Sequence, residues 1–475
     1  MKFNSYIIPF LFFLLNVLLR WLDIEVNSLA GDEPFSVYYA QMDIPDIFRH
    51  LKSGNNPPLY EIFLHYWIRW FGIGEIAVRI PSLIFTALTA SFIFKLGNDF
   101  FSNLAGITSA LAYTFSNYAT IFSHEARVYA LFGLLTVASF YYFLLWLNNK
   151  SSTYDLAKLS IIYALILYSH FFGIMVMGIQ VILGIAMKVK QLKLLKRYVL
   201  VILAGIILFS PYLYVFFQRM FVSLNQGTWL NPPNGWASIS YILTLFLNSY
   251  GLVMGFITLT ILAFIRWAIV DRAISKNIIV ILCWFLIPFF GMFFISYSFP
   301  MFHDRYLMHA FVGSTLFAGI VTTSFFKNNW LNGSFILVFL GVLWLNSYRN
   351  IDNGRHTKAA IEYVQSQRDS NTRIVIYPKF KILGYSYYFN QERFKNFDKE
   401  YGFYEVVEGF KDENFYAINQ YSEARIDTTC CQKLIFMMTD AGPKEKLLED
   451  FSQKLELRKI THFPAIIDVY EYSIK

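Results

Sequence analysis

Asp32 and Glu33 stand side by side between a glycine and a proline, in the stretch SLAGDEPFSVYYA at 28–40. A carboxylate can take a proton from a hydroxyl that is attacking an electrophile, and one of two adjacent carboxylates can have its pKa raised toward a useful range. Three further clusters could complete such chemistry. GNNPPLYE, 54–61, carries Asn56, Pro57, Pro58 and Tyr60, and its proline pair suits a helix start, where no N–H is needed. SHEARVYA, 123–130, carries His124, Glu125, Arg127 and Tyr129; HDRYL, 303–307, carries Arg305 and Tyr306. Arginine is always charged and grips phosphate oxygens through two N–H groups. His170 in YSHFFG and the aromatic turn TWLNPPNGW, 228–236, are weaker members. Taken singly, each has a plain reading. Loop acids are solvated, boundary arginines snorkel to headgroups, and boundary tyrosines and tryptophans form an interface belt.

The elements that must hold these residues are membrane helices. The 475 residues are 56% hydrophobic, 19% aromatic and only 15% charged, where a soluble protein carries about a quarter charged. The formal charge of +8 is the signature of basic cytoplasmic loops, not of nucleic-acid binding. Three cysteines make neither a metal spacing nor a disulfide framework. Cys283 reads as packing, and the adjacent Cys430 and Cys431 as buried thiols. Apolar runs predict eleven spans, at 6–22, 78–97, 104–122, 128–147, 156–170, 171–187, 198–217, 251–270, 277–297, 306–326 and 331–347. The stretches 57–71 and 237–249 are short and read as interfacial or dipping helices; if both cross, the spans number thirteen. The N-terminal FLFFLLNVLL has signal-peptide character, with Ser28-Leu29-Ala30 as a small-x-small site, but Asp23 and Glu25 fit poorly before a cleavage point. An uncleaved first span is expected.

Charge sets the orientation. KVKQLKLLKR, 188–197, carries Lys188, Lys190, Lys193, Lys196 and Arg197 and no acid, so it belongs inside. Counting spans from it puts the N-terminus inside and 23–77, 123–127, 218–236, 298–305 and the tail outside. All four polar clusters then share the outer side, and ionisable groups gathered near a membrane mark function. The expected domains are a membrane domain, 1–349, and an extracytoplasmic one, 350–475. In the tail, TRIVIYP, KLIFMMTD and AIIDVYEYSI read as strands, and AAIEYVQSQRD and PKEKLLEDFSQKL as helices. That makes a small α/β domain, with no Gly-rich phosphate loop.

An acidic pair after the first span, a PPL helix opening, GIGEIAVRIPS at 72–82, and Glu125-Ala126-Arg127-Val128-Tyr129 resemble the GT-C glycosyltransferases. The nearer resemblance is to the branch of protein O-mannosyltransferases and the aminoarabinose transferase of lipid A. Arg305-Tyr306 is similar too, and the likeness covers about 1–350. It implies a mostly α GT-C membrane bundle that moves a sugar from a polyprenyl-phosphate donor to a glycolipid, protein or glycan hydroxyl outside the cytoplasm, with inversion. It implies a bacterial plasma membrane as the location. By that resemblance Asp32 is the base, Glu33 its neighbour, and Arg127, Arg305 or Lys52 the phosphate grip. Asn56, Pro57, Pro58, Tyr60, His124, Glu125, Tyr129, His170 and Tyr306 would wall or support the site. Asn55-Asn56 replace the His or Glu-Lys that many members carry before PPL. That leaves the donor and any divalent metal open, with Glu33 and Glu125 as candidate ligands and no other cofactor expected. A transporter or flippase is the rival from another class; it calls for midplane ionisable groups and inverted repeats, whereas these spans are almost free of acids, the ionisable groups gather at one surface and no repeat is evident. A membrane-anchored assembly protein would need neither so many spans nor converging polar loops.

Overall fold

The computed structural model describes residues 4–29, 31–52, 54, 56–271, 274–324, 329–347, 356–396, 403–424, 432–439, 444–464 and 467–474. Ala30, Asn55, Cys430 and Cys431 lie outside the described residues. The chain divides into two compact units. The first comprises Met1–Asp23, Leu51–Tyr60 and Arg79–Arg349; the second comprises Ile24–His50, Glu61–Val78 and Asn350–Lys475.

The first unit is helical. The apolar runs expected to span form helices, from Asn4–Trp21 through Glu75–Phe100, Tyr129–Leu147, Thr153–Ser169, Gly173–Lys188 and Leu192–Gln226 to Asn329–Leu345. Among the described residues, six helices are long and apolar enough to cross a membrane: Glu75–Phe100, Tyr129–Leu147, Leu192–Gln226, Tyr250–Ile269, Lys276–Ile295 and Asp304–Thr323. Tyr6–Trp21, Gly173–Lys188, Gly235–Leu247 and Trp330–Leu345 are shorter apolar helices. Small residues let helices touch where lipid offers no hydrophobic drive. A Cβ on Gly97 would lie 2.5 Å from the Gly106 Cα, and one on Gly319 only 2.0 Å from the Ser109 hydroxyl. Larger surfaces stack: the rings of Phe140 and Trp284 lie 3.8 Å apart.

One expected span is broken. The run 104–122 forms two helices, Asn103–Phe115 and Asn117–Ser123, with extended backbone at Ser116. A break exposes backbone groups that apolar surroundings cannot satisfy. Asn248 satisfies them. Its side-chain oxygen accepts from the Asn117 N–H at 2.7 Å, and its amide donates to the carbonyls of Phe115 at 2.7 Å and Leu343 at 2.9 Å. Ser116 itself donates to the Phe246 carbonyl at 2.8 Å. Asn248 has φ +67°, a conformation asparagine tolerates better than most residues.

The second unit combines the early segments with the tail. Helices Glu33–Ala40 and Ile44–Leu51 come from the early part; Thr357–Gln367, Ile382–Phe389, Gln391–Asn396, Phe403–Gly409 and Lys444–Lys454 come from the tail. The described tail residues form a five-stranded sheet: β1 Thr372–Tyr377, β2 Phe415–Ala417, β3 Lys433–Thr439, β4 Leu455–Phe463 and β5 Ile467–Ile474, in the order β2-β1-β3-β5-β4. β1 runs parallel to β2 and β3, while β5 is antiparallel to β3 and β4. β1 is buried along its whole length, in keeping with the consecutive apolar Ile374, Val375 and Ile376 at its centre. One face of the sheet packs Val375, Phe436, Met438 and Tyr472 against Phe451 of the helix Lys444–Lys454.

Candidate active site

In the second unit the acidic pair opens a helix. Gly31 takes φ +62°, with no atom within 4 Å of where a Cβ would sit. Asp32 is the N-cap of Glu33–Ala40, yet its side chain makes no capping bond, and the residue is exposed. Glu33, next in line, is 1% exposed. The two neighbours therefore differ: one carboxylate reaches solvent and the other lies inside the first helical turn, where the helix dipole favours negative charge. Pro34 follows within that turn, where its missing N–H costs nothing. Ser36 donates to Glu61 at 2.8 Å, and the Nδ1 of buried His65 donates to the Ala40 carbonyl at 2.9 Å. These bonds fasten the acidic helix to Leu59–Phe71, which begins at Leu59 just after Pro57 and Pro58, all three preceded by buried Asn56. Tyr39 is partly buried, and that burial raises its phenol pKa.

In the first unit three stretches join that are far apart in sequence. Buried Tyr60 meets Ser82 at 3.5 Å, and Ser82 donates to the Arg127 carbonyl at 3.4 Å. The loop between Asn117–Ser123 and Tyr129–Leu147 is fixed from its other end by His124, whose Nε2 donates to the Arg20 carbonyl at 2.7 Å. Within it, the Arg127 N–H reaches back to the Glu125 carbonyl at 2.7 Å. Arg127 and Glu125 are half-buried, while Ala126 and Tyr129 are buried. Tyr118 donates to the Asp304 carbonyl at 2.5 Å, which anchors 303–307.

A chain of rings then links the remaining candidates. Tyr129 lies 6.1 Å from His170, His170 lies 5.8 Å from Tyr306, and Tyr306 lies 5.8 Å from His303. His303 lies 5.5 Å from Trp229, and the Arg305 guanidinium sits 6.0 Å over the Trp229 ring. His303 also pairs with Asp304. Trp229 is 63% exposed, so this arginine rests on a solvent-facing aromatic plane, where cation–π attraction orients it. Lys52 stands exposed in a turn after Ile44–Leu51.

The structure thus gathers His124, Glu125, Arg127, Tyr129, His170, Arg305 and Tyr306, with Tyr60 beneath Arg127. Among the described residues, there is no group of three or more His, Cys, Asp or Glu that could hold a metal ion. Glu75 and Ser82 lie within GIGEIAVRIPS, but the sequence alone gives them no role, and it gives none to Tyr118, His309 or Tyr388. His309 is 0% exposed with its ring 5.5 Å from Phe132, and a lone histidine in an apolar run carries no local signal. Tyr388 is one of 32 tyrosines, and only its tertiary partners single it out.

The model of the dolichyl-phosphate-mannose-protein mannosyltransferase family matches residues 55–215, a minority of the chain. No curated protein matches the sequence. In structure the chain is similar to ArnT from Cupriavidus metallidurans in the apo state, at TM-score 0.60 and 11% identity over 99% of this chain and 98% of that one. The same enzyme bound to undecaprenyl phosphate gives TM-score 0.61 and 11% identity over 97% of each chain. The Archaeoglobus fulgidus oligosaccharyltransferase tethered with an acceptor peptide gives 0.52 and 12% over 92% of this chain and 69% of that one. The chain has the GT-C fold, and the family match and the fold together support a membrane glycosyltransferase dependent on a polyprenyl-phosphate donor.

Proposed function

We propose that the protein transfers a sugar from a polyprenyl-phosphate carrier to an acceptor hydroxyl at the extracytoplasmic face of the plasma membrane, with Asp32 as the base. The observation that carries this reading is the exposed Asp32 at the N-cap of its helix, beside a buried Glu33. Two similar structures hold molecules of the required kinds: ArnT holds undecaprenyl phosphate and the archaeal enzyme an acceptor peptide. In the proposed step Asp32 takes the acceptor proton as the hydroxyl oxygen forms a bond to the anomeric carbon. The bond from that carbon to the phosphate oxygen breaks, its electron pair leaves with the lipid phosphate, and the anomeric centre inverts. Arg127, Arg305 and Lys52 meet the charge that develops on the leaving phosphate. Arg305 is best prepared, because Trp229 already orients it. The N-terminus is cytoplasmic, residues 350–475 form an extracytoplasmic domain, and the acceptor is a glycolipid, a protein or a cell-surface glycan.

Membranes carrying the protein, supplied with a panel of radiolabelled polyprenyl-phosphate sugars, test the reading. Asp32→Asn should lower transfer by roughly 10²–10⁴-fold, the range for loss of a general base. Equal transfer by wild type and variant removes Asp32 from that role. No transfer from any polyprenyl donor by the wild type removes the reaction itself.

A further inference from the structure

We propose that Tyr388 of the tail is a positioning residue, whose hydroxyl clamps the chain three residues before Asp32 and so sets where that carboxylate is presented. The inference rests on the reading of Asp32 as the base. Its starting point is a backbone group that needs a partner. Leu29 is 0% exposed and lies between the helices Asn4–Trp21 and Glu33–Ala40, so no helical carbonyl serves its N–H. A buried N–H must be satisfied somewhere. It donates to the Tyr388 hydroxyl at 2.5 Å, and that hydroxyl in turn donates to Glu75. One O–H both accepts and donates, which among the large aromatic side chains only tyrosine can do. Burial, and then the Glu75 charge, push the Tyr388 phenol pKa far upward. The group therefore stays a donor at any working pH.

The clamp is one of several on this segment. The other Glu75 oxygen lies 3.6 Å from the Lys358 ammonium, and the Lys358 N–H donates to the Ser28 hydroxyl at 3.1 Å. Tyr387, the neighbour of Tyr388, donates to the Ile73 carbonyl at 2.6 Å, which fixes the approach to Glu75. Beyond Asp32, Pro34 lies 3.8 Å from where a Cβ on Gly384 would sit, and the Tyr38 and Phe394 rings are 5.9 Å apart. Ser28 and Leu29 on one side, and Pro34 and Tyr38 on the other, are thus held by tail residues 358–394. Between them, among the described residues, Gly31 with its left-handed turn and Asp32 are exposed and Glu33 is buried. This gives Glu75 of the GIGE stretch a role: it is the fixed post to which the tail tyrosine is tied.

The test uses full-length protein in lipid nanodiscs. Tyr388→Phe keeps the ring and deletes both bonds. Kcat should fall by roughly ten- to a hundredfold, the scale of an ångström of misplacement, with KM for the lipid donor unchanged. Backbone hydrogen exchange should rise over residues 28–36 and stay unchanged in the membrane helices. Glu75→Ala should reproduce the kcat loss, Glu75→Gln should lose less because it keeps an acceptor, and the Tyr388→Phe/Glu75→Ala pair should be no worse than either single change. Wild-type kcat in both Tyr388→Phe and Glu75→Ala, while Asp32→Asn is inactive, overturns the positioning role alone. A loss expressed only in KM overturns it as well. Wild-type rates in Asp32→Asn instead overturn the base assignment. If Tyr388→Phe fails to fold, the Glu75→Ala and Glu75→Gln comparison decides.

Discussion

Gly31 is where a single side chain tests the geometry of the acidic loop. No atom lies within 4 Å of a Cβ there, so alanine meets no clash and only the backbone at φ +62° resists it. Gly31→Ala should therefore destabilise the loop by about 1 kcal/mol, and Gly31→Asn by less, because asparagine tolerates the left-handed region. From wild type through Asn to Ala, transfer rates should fall and exchange over 28–36 should rise. Arg305 makes a second test. Arg305→Ala should cost ~10²–10³-fold in kcat, the scale of one lost oxyanion donor. Arg305→Lys should recover only part, since lysine lacks the planar fork that lies over Trp229. At this scale the sequence was informative about reactive types. Asp32, Arg127 and Arg305 are scarce ionisable residues in an apolar chain and stand out on that ground. The relay from Tyr60 through Ser82 to Arg127 does not stand out. Its links span 22 and 45 residues, and each member is an ordinary residue until the fold joins them.

Helix contacts are the next scale, and glycines set them. A Cβ at Gly319 would meet the Ser109 hydroxyl at 2.0 Å and the Ser109 backbone at 2.7 and 2.9 Å. The backbone cannot swing aside, so Gly319→Ala should destabilise the bundle by roughly 1–3 kcal/mol, as overpacking does. Gly178 has nothing within 4 Å, and Gly178→Ala should leave the thermal midpoint in detergent unchanged. Helix positions were legible because hydropathy alone marks them: in their described residues, all eleven runs and both short stretches form helices. The break at Ser116 was not legible, since the group that makes it tolerable is Asn248, from another helix end. In the tail, β1, β3 and β5 were readable as apolar runs. β4 escaped because it is an edge strand with most of its side chains in solvent, so it never shows the apolar face that identifies a strand.

For the molecule as a whole, acid and sidedness give separate tests. Glu471 of β5 is 6% exposed, with the Lys433 ammonium at 2.9 Å and the Tyr363 hydroxyl at 2.5 Å. Burial alone would raise its pKa, but bonds from Tyr363 and Lys433 outweigh it and hold the carboxyl below its ordinary 4.5. A folded pKa below the unfolded one means stability that is present above 4.5 and lost as pH falls through the folded value. Exchange in β3 and β5, corrected for intrinsic pH dependence, should rise below that point, and Glu471→Gln should flatten the acid limb. For sidedness, in a background without the three native cysteines, Lys52→Cys should label from outside and Lys190→Cys only from the cytoplasm. The make-up of the second unit has a consequence in time. The Leu29 and Tyr388 partners are 359 residues apart, so during synthesis the acidic loop leaves the ribosome long before the residues that hold it. Its clamp can close only once the chain has been made through Tyr388. A nascent or truncated protein that stops before Tyr388 would display the acids without fixing them. The emergence of Tyr388, rather than helix insertion, would then mark the moment at which the acidic loop is fixed.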